Sequence, residues 1–379
     1  MKYKAKSYLI CLFALFVCAC GFMAACGFQE ETDFVGNIQL PSDPTWWSSD
    51  WSNRRQLTFD NSAQTEDLAL FPVLIKLDGT RIDYAKTKDG GQDIRFIDSD
   101  LTELSHEIEL WNESGESFVW VKVPQIDGGS DQDFIWIYYG NQSASDGQDP
   151  ADVWDSAFLG VWHLSDSSGP VVDSTAIGND GTNNGAAYTP SGELDGAYSF
   201  NGNGDAIEAS SYTYDFTEEM TLEAWFKYSG PGTGSPRILE ISKTGNSDSH
   251  CLAPDSDGSL RAWAESATGT RVAAVDDPAD YDDGAWHYMV YTYENPDGIL
   301  YVDGNVTDTA SGASSDLDDG PYFIIGAVSD VSTQHVHSEH EFDGLIDEVR
   351  VSDTARTADW IKAQFLSMND GFISYGMEE

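Results

Sequence analysis

Glu107, Glu109 and Glu113 in HEIELWNE are the first residues whose type and spacing suggest a reaction. Residues two apart in an extended strand share a face, so Glu107 and Glu109 would stand side by side, as the acid and nucleophile of glycoside hydrolysis must. The competing reading is a strand edge carrying solvated acids, with Trp111 behind it in the core, and the sequence favours that reading. His335, His337 and His340 form H-x-H-x-x-H and place three of the seven histidines within six residues. That spacing lets two or three imidazoles meet one transition metal, but a loop offers no rigid partners to orient them, and a solvated loop accounts for the pattern. There is no G-x-S-x-G, no Gly-rich phosphate loop and no His-Glu-x-x-His signature, and no catalytic residue is assigned.

The 379 residues carry 65 acidic and 19 basic side chains, a formal charge of -46, which excludes a nucleic-acid partner because phosphate recognition needs Lys and Arg. The N-terminus reads as a secretory signal over residues 1–25: Lys2, Lys4 and Lys6, then an apolar stretch from Tyr8 to Val17, then small residues. Met23-Ala24-Ala25-Cys26 has the form of a bacterial lipobox, with Cys26 as the lipidated first residue of the mature chain and Cys20 as the competing position. Cleavage there removes three lysines and no acid, and 16 minus 65 gives a mature charge of -49. The expected location is the cell envelope or outer surface of an exporting bacterium, with the membrane reached through the lipid alone. Four of the five cysteines lie in the signal region, so Cys251 has no disulfide partner in the folded part and reads as a small buried hydrophobe.

Behind these residues the chain reads as all-β. A polar tether covers residues 26–45. Short alternating apolar runs follow, broken by Gly, Asp, Asn and Pro, with thirteen Asp-Gly dipeptides supplying hairpin turns. The pattern predicts two β-sandwich domains in series, 46–155 and 156–379. The one departure is Thr357 to Ser367, where Trp360, Ile361 and Phe365 fall on one face of a short C-terminal helix. Asp255, Asp257 and Gly258 have the look of a calcium loop, but Ala253 and Ala264 stand at its first and last ligand positions, so the segment reads as a hairpin turn.

The second unit resembles a concanavalin A-like jelly roll of the laminin-G-like kind. The likeness rests on VWHL at Val161 to Leu164, the loop Asp173 to Thr182, AYSFNGNGDAIE, TLEAWFK, AWHYMVYTY, LYVDG and FDGLIDEVRVS. The first unit, through WSNRRQLTF, FPVLIKL, DIRFID, EIELWN, VWVKVP and IYYGN, resembles an uncharacterised bacterial family. Some of its relatives occur in biopolymer-transport chains of the MotA/TolQ/ExbB type, but this chain has no apolar segment after Phe28 long enough to span a bilayer. The jelly-roll resemblance implies binding of carbohydrate or of a protein, as in an adhesin or envelope scaffold, with a structural Ca2+ held by Asp173 and Asp347 and by Asn179 as a further ligand. Trp225 and Trp286 match core-facing blocks. Trp263, with Arg261 and Glu265 two residues to either side, is the ligand-facing candidate. The Glu107 and Glu109 strand is similar to the carboxylate strand of jelly-roll glucanases, except that Glu109 stands where Asp is usual and the segment lies in the first unit.

Overall fold

Strand Glu219–Tyr228 shows how the layers stack. Met220, Leu222, Ala224, Phe226 and Tyr228 point into one apolar core, while Trp225 joins a second core on the opposite face. A strand buried on both faces must lie between two other layers. The computed structural model describes residues 46–209, 219–228, 230, 235–242, 249–266, 270–312, 322–328 and 340–379. Within it, Trp47–Glu379 forms one compact unit.

The jelly roll is an eight-stranded sheet facing a seven-stranded one. In the first, Asp343–Ser352 lies between Ala197–Asn201 and Glu219–Tyr228 and also pairs with Phe158–Trp162. The seven-stranded sheet contributes Leu239, Ile241, Leu252, Leu260, Ala262, Phe323 and Ile325 to the shared core. Turn chemistry behaves as the Asp-Gly pattern predicts: Asp303 and Gly304, at φ 51° and 69°, close the two-residue hairpin between Val302 and Asn305. Asp255, Asp257 and Gly258 likewise form a turn, with Gly258 N–H donating to Asp255 O at 3.1 Å.

The N-terminal sandwich pairs a five-stranded sheet with a three-stranded one, Leu68–Leu77, Ser117–Ile126 and His106–Leu110. Its five-stranded sheet is completed by the end of the chain, because Ile373–Glu378 pairs with Asn53–Phe59. The helix Ala358–Met368 is capped by the Thr357 hydroxyl, which accepts from Trp360 N–H at 3.2 Å. The predicted helix is therefore present, but it does more than close the jelly roll. Trp360 packs edge-on against Phe71 at 5.2 Å, and Ser367 Oγ accepts from Leu74 N–H at 2.7 Å, so the helix is wedged between the two sandwiches. A single apolar cluster runs from Leu57 and Val121 through Trp225, Tyr288 and Val290 to Phe372. The two sandwiches share that core, and the chain returns to the first of them at its last strand, Ile373–Glu378, which lies outside the expected bounds of 46–155.

Candidate functional site

Where the outer face of the eight-stranded sheet meets the three-stranded sheet, charged side chains are buried together. Glu107 and Glu109 come from His106–Leu110, His163 follows Phe158–Trp162, Glu223 comes from Glu219–Tyr228, and Asp347, Glu348 and Arg350 from Asp343–Ser352. Register explains the convergence. Glu223 is paired with Arg350, and Trp225 with Asp347, so one extra residue sits between them on Asp343–Ser352. That bulge contains Glu348 at φ 50°, and it turns consecutive acids toward the same seam.

His163 is the hub. Its Nδ1 lies 2.7 Å from Glu348 Oε1 and 3.5 Å from Glu109 Oε2, and its Nε2 lies 3.4 Å from Glu107 Oε2. Glu107 also accepts from Trp154 Nε1 at 2.9 Å and from Ser174 Oγ at 2.6 Å. Glu109 Oε2 accepts from Trp120 Nε1 at 2.7 Å. Arg350 donates to Glu348, lies 3.7 Å from Glu223 Oε2, and stacks its guanidinium 4.5 Å over Trp120 and 5.3 Å over Trp154. Glu223 in turn accepts from the Tyr288 hydroxyl.

Protonation follows from placement. Burial alone would drive every carboxylate up and the imidazole down. At Glu107, burial is outweighed by His163 and by the hydrogen bonds, so its acid lies below the usual value. At Glu348, His163 and Arg350 likewise outweigh burial and hold it low. Burial dominates at Glu109, with Glu348 adding to it, and raises that acid well above its ordinary value; the same two causes raise Asp347. Burial also raises Glu223 against the opposing pull of Arg350. For His163, burial is overcome by Glu348, Glu109 and Glu107, and its pKa is raised well above the ordinary value.

The expectation that Glu107 and Glu109 are solvated edge acids is therefore corrected. Their side chains are only 11% and 1% exposed, because the edge strand that carries them is covered by the jelly roll. Glu113 is exposed and has no part in the seam.

The calcium residues are placed differently from one another. Asp173 accepts from four groups: Val161 N–H and Thr175 N–H at 3.0 Å, Thr175 Oγ at 2.9 Å and Asn179 N–H at 2.7 Å. Trp162 Nε1 donates to Asn179 O at 3.0 Å. Asp347 accepts from Glu193 N–H at 2.8 Å and Leu194 N–H at 3.2 Å. A Ca2+ ion wants about six to eight oxygens free to face it. N–H and O–H donors surround Asp173, which fits a carboxylate pinning its own loop to the sheet and does not fit an ion ligand. Asp347 instead borders the seam cluster, and its Oδ1 is buried with no hydrogen-bond partner.

Trp263 lies on the outward face of the seven-stranded sheet, paired with Cys251. Its ring is sealed, at 1% exposure, beneath Arg271 at 3.8 Å and Arg237 at 4.7 Å from the ring centre. A sugar cannot stack on it directly, which corrects the reading of Trp263 as an open aromatic platform. Arg261 is half-exposed and paired with Asp255 at 2.9 Å and Asp276 at 3.1 Å, whereas Arg271 is exposed. Trp225 is buried at the seam, its Nε1 3.2 Å from Met368 Sδ, and Trp286 is half-buried against the same cluster. Cys251 is fully buried and its thiol is pushed up to about 12 by burial, so it is inert. His335 and His337 lie outside the described residues, as does Cys26; His340 Nδ1 lies 3.0 Å from Ser235 O.

Residues 201–362 match the model of the concanavalin A-like lectin/glucanases superfamily. Residues 90–176 match a domain of unknown function, DUF2341. That second match runs past residue 155, through Val161 to Leu164 and Asp173, so His163 lies in the same family segment as Glu107 and Glu109. No curated protein matches the chain. Among solved structures, it is similar to the binding domain of Paraclostridial Mosquitocidal Protein 1, with 12% identity and a TM-score of 0.46 over 56% of this chain and 52% of that one. Domain 4 of the Geobacillus stearothermophilus arabinanase AbnA, solved with arabinotriose, shows 18% identity and a TM-score of 0.42 over 54% of this chain and 96% of that one. The binding domain of Botulinum neurotoxin DC, solved with SialylT, shows 9% identity and a TM-score of 0.44 over 56% and 52%. The matched region thus spans about half of the mosquitocidal-protein and neurotoxin binding domains.

Sequence reasoning missed His163, Glu223, Glu348 and Arg350. A signal for some of them was present: LIDEVRV places three charges inside an otherwise apolar strand, and such charges must be paired if both faces of the strand are covered. Among the described residues, no helix is long and apolar enough to cross a membrane.

Proposed function

We propose that the protein is an exported, lipid-anchored binding protein that recognises carbohydrate through the outward face of the seven-stranded sheet. One observation carries the reading: the exposed Arg271 guanidinium lies 3.8 Å from the centre of the sealed Trp263 ring, on the outward side of the seven-stranded sheet, where Arg261 shares a strand face with Trp263. A planar guanidinium resting against an aromatic ring suits bidentate contacts to the hydroxyls or carboxylates of a sugar. Burial of Glu107 and Glu109 favours binding over hydrolysis, because a polymer cannot reach a carboxylate pair enclosed between layers. Export and the Cys26 anchor are supported by the basic, apolar and small-residue order of the N-terminus.

Affinity electrophoresis against neutral and uronate-bearing polysaccharides, together with a glycan array, tests the reading. Retardation in at least one polysaccharide, lost in Arg271→Ala, is expected. Blank results from both measurements with the parent protein would overturn it.

A further inference from the structure

The seam cluster is more than a set of mutually compensating charges. One imidazole nitrogen and one oxygen from each of two carboxylates, on Glu109, His163 and Glu348, all lie within 4.8 Å of one another. We propose that these three side chains bind one divalent transition-metal ion, locking the DUF2341 segment onto the jelly roll.

The support is geometric. Each ligand comes from a different segment: strand His106–Leu110, the chain just after Phe158–Trp162, and strand Asp343–Ser352. Each is also held from behind, as metal ligands are. His163 turns its Nε2 toward Glu107 Oε2, the carboxylate–histidine arrangement that fixes a ring with the other nitrogen facing the ion. Glu107 is itself fixed by Trp154 and Ser174, Glu109 by Trp120, and Glu348 by Arg350. Among the three ligands one oxygen lacks a donor: Glu109 Oε1 is buried in a side chain 1% exposed and has no hydrogen-bond partner, and the neighbouring Asp347 Oδ1 and Glu223 Oε1 are left in the same state. A buried carboxylate oxygen without a donor is costly unless a cation faces it. One nitrogen and two carboxylates make a donor set for Zn2+, Mn2+ or Co2+ rather than for Ca2+, which takes oxygen almost exclusively.

The test uses the full mature chain, freed of metal with chelator and then equilibrated separately with Zn2+, Mn2+ and Co2+ before desalting and elemental analysis. About one retained equivalent of at least one ion is expected, with a visible d–d spectrum for the Co2+ form and one imidazole nitrogen in its coordination by X-ray absorption. Glu109→Gln and Glu348→Gln should lose the equivalent. Glu107→Gln, at a residue that meets His163 only at Nε2 and supplies no ligand atom, should weaken binding by about 10–100-fold. A chain carrying His335→Ala, His337→Ala and His340→Ala should keep the equivalent, which separates the seam from the histidine-rich segment. The proposal is overturned if the parent retains none of the three ions, or if retention is lost in the triple His variant and survives in folded Glu109→Gln. Should the Glu variants fail to fold, the parent's stoichiometry and the nitrogen in its coordination decide.

Discussion

The eight-stranded sheet has two covered faces, and they are built from opposite materials. Toward the seven-stranded sheet it presents Met220, Leu222, Ala224, Met289, Tyr291, Val349 and Val351, and the space between is filled by apolar side chains. Toward the N-terminal sandwich it presents Glu223, Arg350, Glu348 and His163 among Trp225, Tyr288 and Val290. Apolar packing is non-directional and tolerates substitution at constant volume, so the first interface specifies a sandwich without fixing a single arrangement of it. Buried charges have one satisfactory arrangement and many ruinous ones. The second interface therefore sets where the two sandwiches dock, and carries the only cluster among the described residues with converging metal-ligand atoms.

Removing the seam's fixed cation should break that contrast most severely. Arg350 is fully buried, donates to Glu348 and faces Glu223, and among the described residues no other arginine or lysine is ion-paired with those two acids. Arg350→Met keeps the length of the side chain and its contact with Trp120 but leaves the buried Glu223 without its cation and Glu348 with His163 alone. A loss of about 3–5 kcal/mol is expected, as when one partner of a buried pair is deleted. Urea unfolding of parent and variant measures it. A loss below about 1 kcal/mol, the scale of an exposed pair, would mean that water already reaches the seam.

Acid probes the apolar spaces instead. His106 packs edge-on against Phe96 inside the N-terminal sandwich, and burial with the nearby Arg95 lowers its pKa to about 4. His250, fully buried in the seven-stranded sheet, is lowered to about 4 by burial. Both take up a proton more readily when unfolded, at about 6.5, than when folded. Their contribution is thus complete above pH 6.5 and is lost as pH falls toward 4. The melting temperature should decline across that window, and the decline should flatten in a chain carrying His106→Phe and His250→Phe. An unchanged slope in that double variant would remove both residues from the account.

The same contrast decides what was legible in the sequence. The all-β sandwich class was, because alternation in MTLEAWFKY and the Asp-Gly turns depend only on local chemistry. The seam was not. Glu107 and Glu109 look like exposed edge acids until the strand is covered, and covering it takes residues more than 200 positions away, from Asp343–Ser352. Glu348 reaches the cluster through a bulge that periodicity does not reveal, since the residue departs from the expected alternation. Trp263 shares a strand face with Arg261, but the arginines that seal it, Arg237 and Arg271, come from outside its own strand, where periodicity does not place them. Asp173 was expected from the jelly-roll resemblance to hold an ion, yet its four donors come from its own loop and the adjacent strand, and spacing does not distinguish those from an ion.

The smallest predicted change bears on whether the two sandwiches unfold together. Thr357 caps the C-terminal helix through Trp360 N–H, and its hydroxyl also donates to Glu66 of the N-terminal sandwich. Two residues on, Asp359 accepts from Thr65 N–H at 2.8 Å and Glu66 N–H at 3.1 Å, so one helical turn is tied to both halves. Thr357→Ala should cost about 1 kcal/mol by loss of the cap, and Thr357→Ser, which keeps the hydroxyl, should cost less. Because the shared core runs from Leu57 to Phe372, the loss should lower the midpoint of one transition seen alike by tryptophan fluorescence and far-ultraviolet circular dichroism. Two separated transitions, with only one displaced by the substitution, would show instead that each sandwich holds itself together and that the polar seam merely orients them.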